Sequence, residues 1–280
     1  MGAPGSRRPG PRSPAAPDGA AVLEVHHLDA HYGSVQVLFD VNLTVQAGEV
    51  MVIMGGSGSG KSTLLRHLLG LEVPSAGSLT VLGRNMSRLD PLELTGLRRQ
   101  MGVAFQGGAL FSSMTVAENV KLPLREHAEL DETTMDIIAR LKLEVVDLAG
   151  VGDLMPSELS GGMLKRAAVA RAIVLDPKLL FFDEPSAGLD PAVAAAFDDL
   201  ILRLRQAMDM TIVVVTHEME SAFKIADRIT VLDRGRVLAV DSAEGLRGNP
   251  SRRIQNLLNR RPEDPEVDAA GYLRRLAGGA

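Results

Sequence analysis

The chain contains no cysteine among its 280 residues. Without thiols there are no disulfides, thiolate metal sites or cysteine nucleophiles, so iron–sulfur and thiol chemistry are excluded. An excess of positive charge is missing as well. Lys and Arg number 30 against 35 Asp and Glu, a formal net charge of -5, so no overall field favours sequence-independent adhesion to nucleic acid. Nucleic acid is not an expected partner. Long apolar runs are also absent. Stretches such as Leu179-Leu180-Phe181-Phe182 and Ile212-Val213-Val214-Val215 fall far short of the ~18 residues that a membrane-spanning helix needs, and the chain is expected to be soluble.

What is present in quantity is core-forming material, 45% hydrophobic residues, enough for one large domain or two modest ones. Residues 1–20 stand apart: nine Gly or Pro and three Arg with no apolar centre read as a flexible leader rather than a secretory signal or an amphipathic helix. From Val22 the pattern becomes short strands and turns, with an extended region over Val35 to Val45 and a buried strand over Val50 to Met54. A glycine-rich segment follows, and then a helix from Lys61 to Leu69 whose leucines at 64, 65, 68 and 69 share one face. Between Pro91 and Leu175 the composition reads as mainly helical. Runs at Leu179 to Phe182, Thr211 to Val215, Ile229 to Leu232 and Val237 to Val240 then read as strands, separated by a helix over Ala192 to Met208. The alternation predicts an α/β core with parallel strands, interrupted by a helical insert at about 107–164, within a domain spanning 21–248. From Asn249 to Ala280 the chain reads as a weakly folded extension, with one apolar helical seam including Ile254, Leu257 and Leu258, either a solvated tail or a docking arm for a partner.

Three segments carry chemistry. Gly55-Gly56-Ser57-Gly58-Ser59-Gly60-Lys61-Ser62 fits a phosphate-binding loop. Glycines let backbone N–H groups turn around phosphate oxygens, a helix N-terminus adds partial positive charge, Lys61 reaches the β and γ phosphates, and the Ser62 hydroxyl coordinates Mg²⁺. The bland alternative is a glycine turn before an ordinary helix. Asp183 and Glu184 follow the apolar strand Leu179 to Phe182, at the edge where parallel sheets place ligand sites. There Asp183 would hold the Mg²⁺ shell and Glu184 would polarise the water attacking the γ phosphate; a solvated turn is the competing reading. Ser160-Gly161-Gly162 opens a helical run and is a second anion cradle, or simply an N-cap with two glycines.

Gly55 to Thr63, Gln106, Leu159 to Met163, Asp183-Glu184, Ser186 to Asp190 and His217 stand in the order and spacing of an ABC-transporter ATPase subunit, and the resemblance covers about residues 21–248. It implies a P-loop NTPase (RecA-like) cassette with an antiparallel β subdomain and a helical insert. It also implies ATP and Mg²⁺ as cofactors, ATP hydrolysis as the activity, and a head-to-tail pair of copies in which Ser160, Gly161 and Gly162 of one close on ATP held by Lys61 of the other. By the same resemblance Gln106 senses Mg²⁺ and water, Asp190 organises the dimer seam, His217 touches the γ phosphate, and Tyr32 stacks on adenine. Thr63 belongs to the phosphate loop.

The segments Phe105 to Phe111, Asn119 to His127 and Leu154 to Met163 look like the ATPase of bacterial Mla-type phospholipid transport systems. Met163 stands where most ABC cassettes carry Gln, a departure similar to the lipid-transport branch. That branch implies a separate membrane permease, an MCE-domain lipid-binding protein, a small STAS-like subunit, and a peripheral position on the cytoplasmic face of the inner membrane. Two other functions compete: a cassette serving another cargo such as an amino acid, ion or drug, and a soluble ABC ATPase acting on ribosomes or DNA.

Overall fold

The computed structural model describes residues 20–259 and 261. The expected leader lies outside the described residues apart from residue 20, as does the expected extension beyond 261. In chain order the described residues form β1 (Ala21–Tyr32), β2 (Val35–Gln46), β3 (Val50–Met54), α1 (Lys61–Leu68), β4 (Ala76–Val81), β5 (Arg84–Asn85), α2 (Pro91–Arg98), β6 (Met101–Ala104), α3 (Val116–His127), α4 (Glu132–Val145), α5 (Gly161–Ala172), β7 (Leu179–Asp183), α6 (Pro191–Met208), β8 (Thr211–Thr216), α7 (Met219–Ile225), β9 (Arg228–Asp233), β10 (Arg236–Asp241), α8 (Ala243–Arg247) and α9 (Arg252–Leu258).

Six strands make a sheet in the order β10-β9-β3-β8-β7-β6, parallel except for the β9–β10 hairpin at one edge. A second, antiparallel sheet has the order β2-β1-β4-β5. Alternation along the central strands explains how the layers meet. Val50, Val52 and Met54 of β3, Leu180 and Phe182 of β7, and Ile212 and Val214 of β8 share one hydrophobic cluster with residues of α3 to α6. Met51 and Ile53, Leu179 and Phe181, and Val213 and Val215 point to the other face and pack with α1 and the antiparallel sheet. Because successive side chains of a strand face opposite ways, a strand covered on both sides must be apolar at every position, which is why Val50–Met54 is a continuous run.

The sheet edge departs from the helical expectation. Within the stretch read as mainly helical, Met101–Ala104 is a strand, the edge of the six-stranded sheet, paired in parallel from Met101↔Leu179 to Ala104↔Phe182. Four residues containing a glycine carry no period of their own; pairing with β7 extends them, a tertiary effect that overrides local composition. The helices begin where side chains can cap them. Thr115 and Glu118 form a capping box on α3, Asp131 caps α4, Ser160 caps α5 and Asp190 caps α6. The expectation of a weakly folded extension is corrected for its described part: α9 buries Ile254 and Leu258 against the main cluster, because the apolar seam packs on the core. Among the described residues no helix is long and apolar enough to cross a membrane.

Candidate functional site

From the end of β3 the chain turns through Gly55 to Gly60 into α1. Gly60 occupies the N-cap with φ 102°, a left-handed conformation that strains any side chain, and a Cβ there would lie 2.7 Å from Leu38 Cδ2. At Gly55 the constraint is close approach, since a Cβ would sit 2.2 Å from the Leu232 carbonyl oxygen. Unlike α2 to α6, α1 has no side-chain cap, so its first-turn N–H groups are left for a ligand. Ser59 Oγ is buried and has no hydrogen-bond partner among the described residues. Lys61 Nζ donates to the carbonyls of Gly55 at 2.8 Å and Gly56 at 3.0 Å. Burial pushes its ammonium below the usual lysine range, against the pull of the Glu184 and Asp183 carboxylates. These features fit a phosphate group.

β7 delivers the carboxylates. Asp183 ends the strand, and its carboxyl is pushed up by burial first and by the neighbouring Glu184 second, with Lys61 pulling it down. Glu184 has φ 48°, left-handed for a residue with a side chain. The register Asp183↔Val215 brings the end of β8 beside it. Its Oε2 accepts from Thr216 Oγ1 at 3.2 Å, from the His217 amide at 3.3 Å and from His217 Nδ1 at 2.9 Å. The Nδ1–H therefore faces Glu184, while Nε2 lies 3.2 Å from Glu218 Oε1. Such a carboxylate is held in one orientation and keeps acceptor capacity for a proton.

A cavity of about 840 Å³ gathers Gly55, Gly56, Ser57, Gly58, Lys61, Ser62, Gln106, Asp183, Glu184 and His217. The same wall set supplies oxygen donors suited to Mg²⁺: the Ser62 hydroxyl, the Gln106 amide oxygen and the Asp183 carboxylate. Among the described residues no cluster of three or more His, Asp or Glu forms a metal cage.

Other expected residues stand apart from this cavity. Tyr32, 45% exposed, is not among its lining; its hydroxyl donates to Glu72 Oε1 and Oε2 at 3.1 and 2.9 Å. Gly60 and Thr63 lie in the loop and the first turn of α1 without facing the cavity. Ser160 caps α5 through the Met163 amide at 3.3 Å, and Gly161 and Gly162 lie against Leu189 and Val193 instead. Residues not foreseen line the cavity too: Met219, Val231, Asn256, Leu257 and Arg261, the last three from the C-terminal extension. Composition marked that segment only by its apolar seam. Lys165 is a further omission. Its ammonium holds the loop after β7, and the sequence signal was a lysine in a helix that has no acid in its first turn.

Comparison with known proteins extends the geometry. A model of the ABC transporter family matches residues 38–187. The intermembrane phospholipid transport system ATP-binding protein MlaF of Haemophilus influenzae is 39% identical over 258 residues, covering 91% of this chain and 98% of its own. The probable ribonucleotide transport ATP-binding protein mkl of Mycobacterium bovis is 40% identical over 243 residues, covering 87% of this chain and 68% of its own. Among solved structures, a dimeric ATP-binding cassette in a post-hydrolysis state bound to ADP and Pi superimposes with TM-score 0.73 at 31% identity, covering 79% of this chain and 98% of that one. The cbiO1 protein of Clostridium perfringens, part of the transporter complex cbiONQ, gives 0.76 at 27% identity, covering 91% and 99%.

Proposed function

Since the chain belongs to the ABC transporter family, in which it is an ATP-hydrolysing cassette, we propose that its nucleotide cycle powers phospholipid transport between bacterial membranes through a separate permease. The observation that carries the ATPase chemistry is the single cavity uniting the Gly55 to Lys61 loop with Asp183, Glu184 and His217. The triphosphate lies along Gly55 to Thr63, where backbone N–H groups and the N-terminus of α1 receive its phosphates and Lys61 exchanges its loop carbonyls for phosphate oxygens. Ser62, Gln106 and Asp183 would hold Mg²⁺, which would supply charge neutralisation for the phosphate oxygens. Glu184 takes the proton of the attacking water, and His217 keeps the carboxylate aimed. Tyr32 presents its exposed ring to adenine.

Ser160, Gly161 and Gly162 act on the nucleotide of a second copy; their separation from the cavity of their own chain supports this head-to-tail reading. In this scheme 21–248 is the ATPase domain, 107–164 its helical part, which passes nucleotide-driven closure to the permease, and 249–280 a partner-docking tail. An MCE-domain protein and a STAS-like subunit complete the assembly at the cytoplasmic face of the inner membrane. Relatives of equal identity carry two cargo names, so the lipid reading leans on Met163 and on near-complete coverage of the MlaF sequence.

Glu184→Gln is expected to retain ATP binding while slowing turnover by about 10²–10⁴-fold, the usual weight of a general base, as measured by equilibrium nucleotide binding and phosphate release. Parental turnover in that variant would remove Glu184 from the role. For cargo, the native complex should purify with a multispanning membrane protein and phospholipid; a stable ribosome or DNA complex would overturn the transport reading.

A further inference from the structure

Lys165 lies in the second turn of α5, near an N-terminus where the helix dipole disfavours a cation, and it is partly buried. Its position is compensated by a specific set of acceptors. Nζ donates to the backbone carbonyls of Glu184 at 3.2 Å, Pro185 at 2.8 Å and Ala187 at 2.7 Å. An ammonium has three N–H donors and no acceptor, so these three carbonyls satisfy it fully. The loop it grips is short and unusual. It begins with Glu184 in a left-handed conformation, where a side chain persists only if its surroundings hold it, and ends at Asp190, the N-cap of α6. Other ties on Glu184 come from its own loop, where the Ala187 amide donates to its carbonyl at 3.2 Å, and from β8 and the residue after it: its amide donates to the Val215 carbonyl at 2.8 Å, and its carboxylate meets Thr216 and His217. Lys165 holds the opposite side of the same backbone, from the helix that Ser160 caps.

We propose that Lys165 is a positioning residue, fixing the backbone that aims the Glu184 carboxylate and tying it to the helix begun by Ser160-Gly161-Gly162. This rests on the reading of Glu184 as the base and of Ser160 to Gly162 as the contact with the second copy's nucleotide. One consequence is communication between sites. A nucleotide pressing on the start of α5 displaces, through a rigid helical turn and a single ammonium, the loop bearing the base of the other site. Lys165→Met would preserve the length and apolar stem while deleting every donor.

The test uses the full-length chain purified with its membrane partners. Lys165→Met should lower kcat on the order of 10- to 100-fold, with KM for ATP changed by less than about threefold, because misaimed chemistry costs rate rather than ground-state binding. Lys165→Arg, which restores charged N–H donors, should recover most of the lost rate, and the ATP dependence of Lys165→Met should lose whatever sigmoidal character the parent has. A purely structural lysine would lower Tm without that split or rescue. If Lys165→Met does not fold, Lys165→Gln, which keeps two N–H donors, takes its place in the same comparison. Parental kcat in the folded Lys165 variant, while Glu184→Gln is inactive, overturns the inference and leaves the ATPase reading standing. A parent complex without ATP turnover overturns the reading itself and the inference with it.

Discussion

Asp198 is 4% exposed; its Oδ2 accepts from Ser221 Oγ at 3.1 Å, while Oδ1 is buried without a partner among the described residues. Burial raises its carboxyl above the ordinary 3.8, more than the Ser221 bond and Lys224 lower it. The folded state therefore holds this proton to higher pH than the unfolded chain does, and stability falls as pH climbs from about 4 through the raised value. Asp198→Asn removes the buried charge and keeps the shape. Its Tm should exceed that of the parent at pH 8, and the difference should vanish toward pH 4, as followed by thermal melts across that range. A constant difference at every pH would show that the ionised carboxylate is not the cause. The same reasoning distinguishes Asp183, where burial and Glu184 raise the carboxyl but Lys61 faces it in the cavity. There a cationic ligand would relieve the strain that burial imposes.

Among elements, α9 is the one whose role composition left most open. The segment read as weakly folded, with one apolar seam including Ile254, Leu257 and Leu258; instead a helix forms, with Ile254 3% exposed. What the seam did not announce was its position: Asn256 and Leu257 line the cavity that holds Lys61 and Glu184. Ile254→Ala should cost about 2–5 kcal/mol, the range for truncating a buried isoleucine, as read from urea unfolding of the full chain. A loss under about 0.5 kcal/mol would mean that α9 does not pack on the core in solution. β6 shows the reverse relation. Its four residues gave no strand signal, because a short edge strand takes its conformation from the neighbour it pairs with rather than from its own period. By contrast α3 lies in the stretch read as mainly helical; Thr115 and Glu118, three residues apart, cap its start, and the helix runs through Pro123 to His127.

At the scale of the whole molecule, Ser160 to Gly162 stand apart from the cavity of their own chain, and the proposed head-to-tail pairing gives them a role on a second copy. With Glu184→Gln to prevent turnover, ATP should convert the purified chain from monomer to dimer in light scattering coupled to gel filtration. Adding Ser160→Arg to that variant should abolish the dimer, because a bulky cation would crowd the glycine surface that the proposed pairing sets against the partner's nucleotide. A monomer with and without ATP would remove the head-to-tail pairing.

The amino-acid sequence determined what depends on near neighbours along the chain. The Val50–Met54 strand, the glycine loop and α1 are contiguous, so periodicity and the conformational freedom of Gly60 specify that unit locally. The adjacent carboxylates Asp183 and Glu184 were equally visible at a strand end. Only tertiary structure decided which of these pieces meet. His217 stands 33 residues from Glu184 and reaches its carboxylate because β7 and β8 pair with Asp183 opposite Val215, while Met54 pairs with Thr216 and brings the phosphate loop to the same sheet edge. Lys165 and α9 belong to that second class as well. Hydrogen-bond register and packing fix their partners, and neither leaves a mark on the residues that lie beside them in sequence.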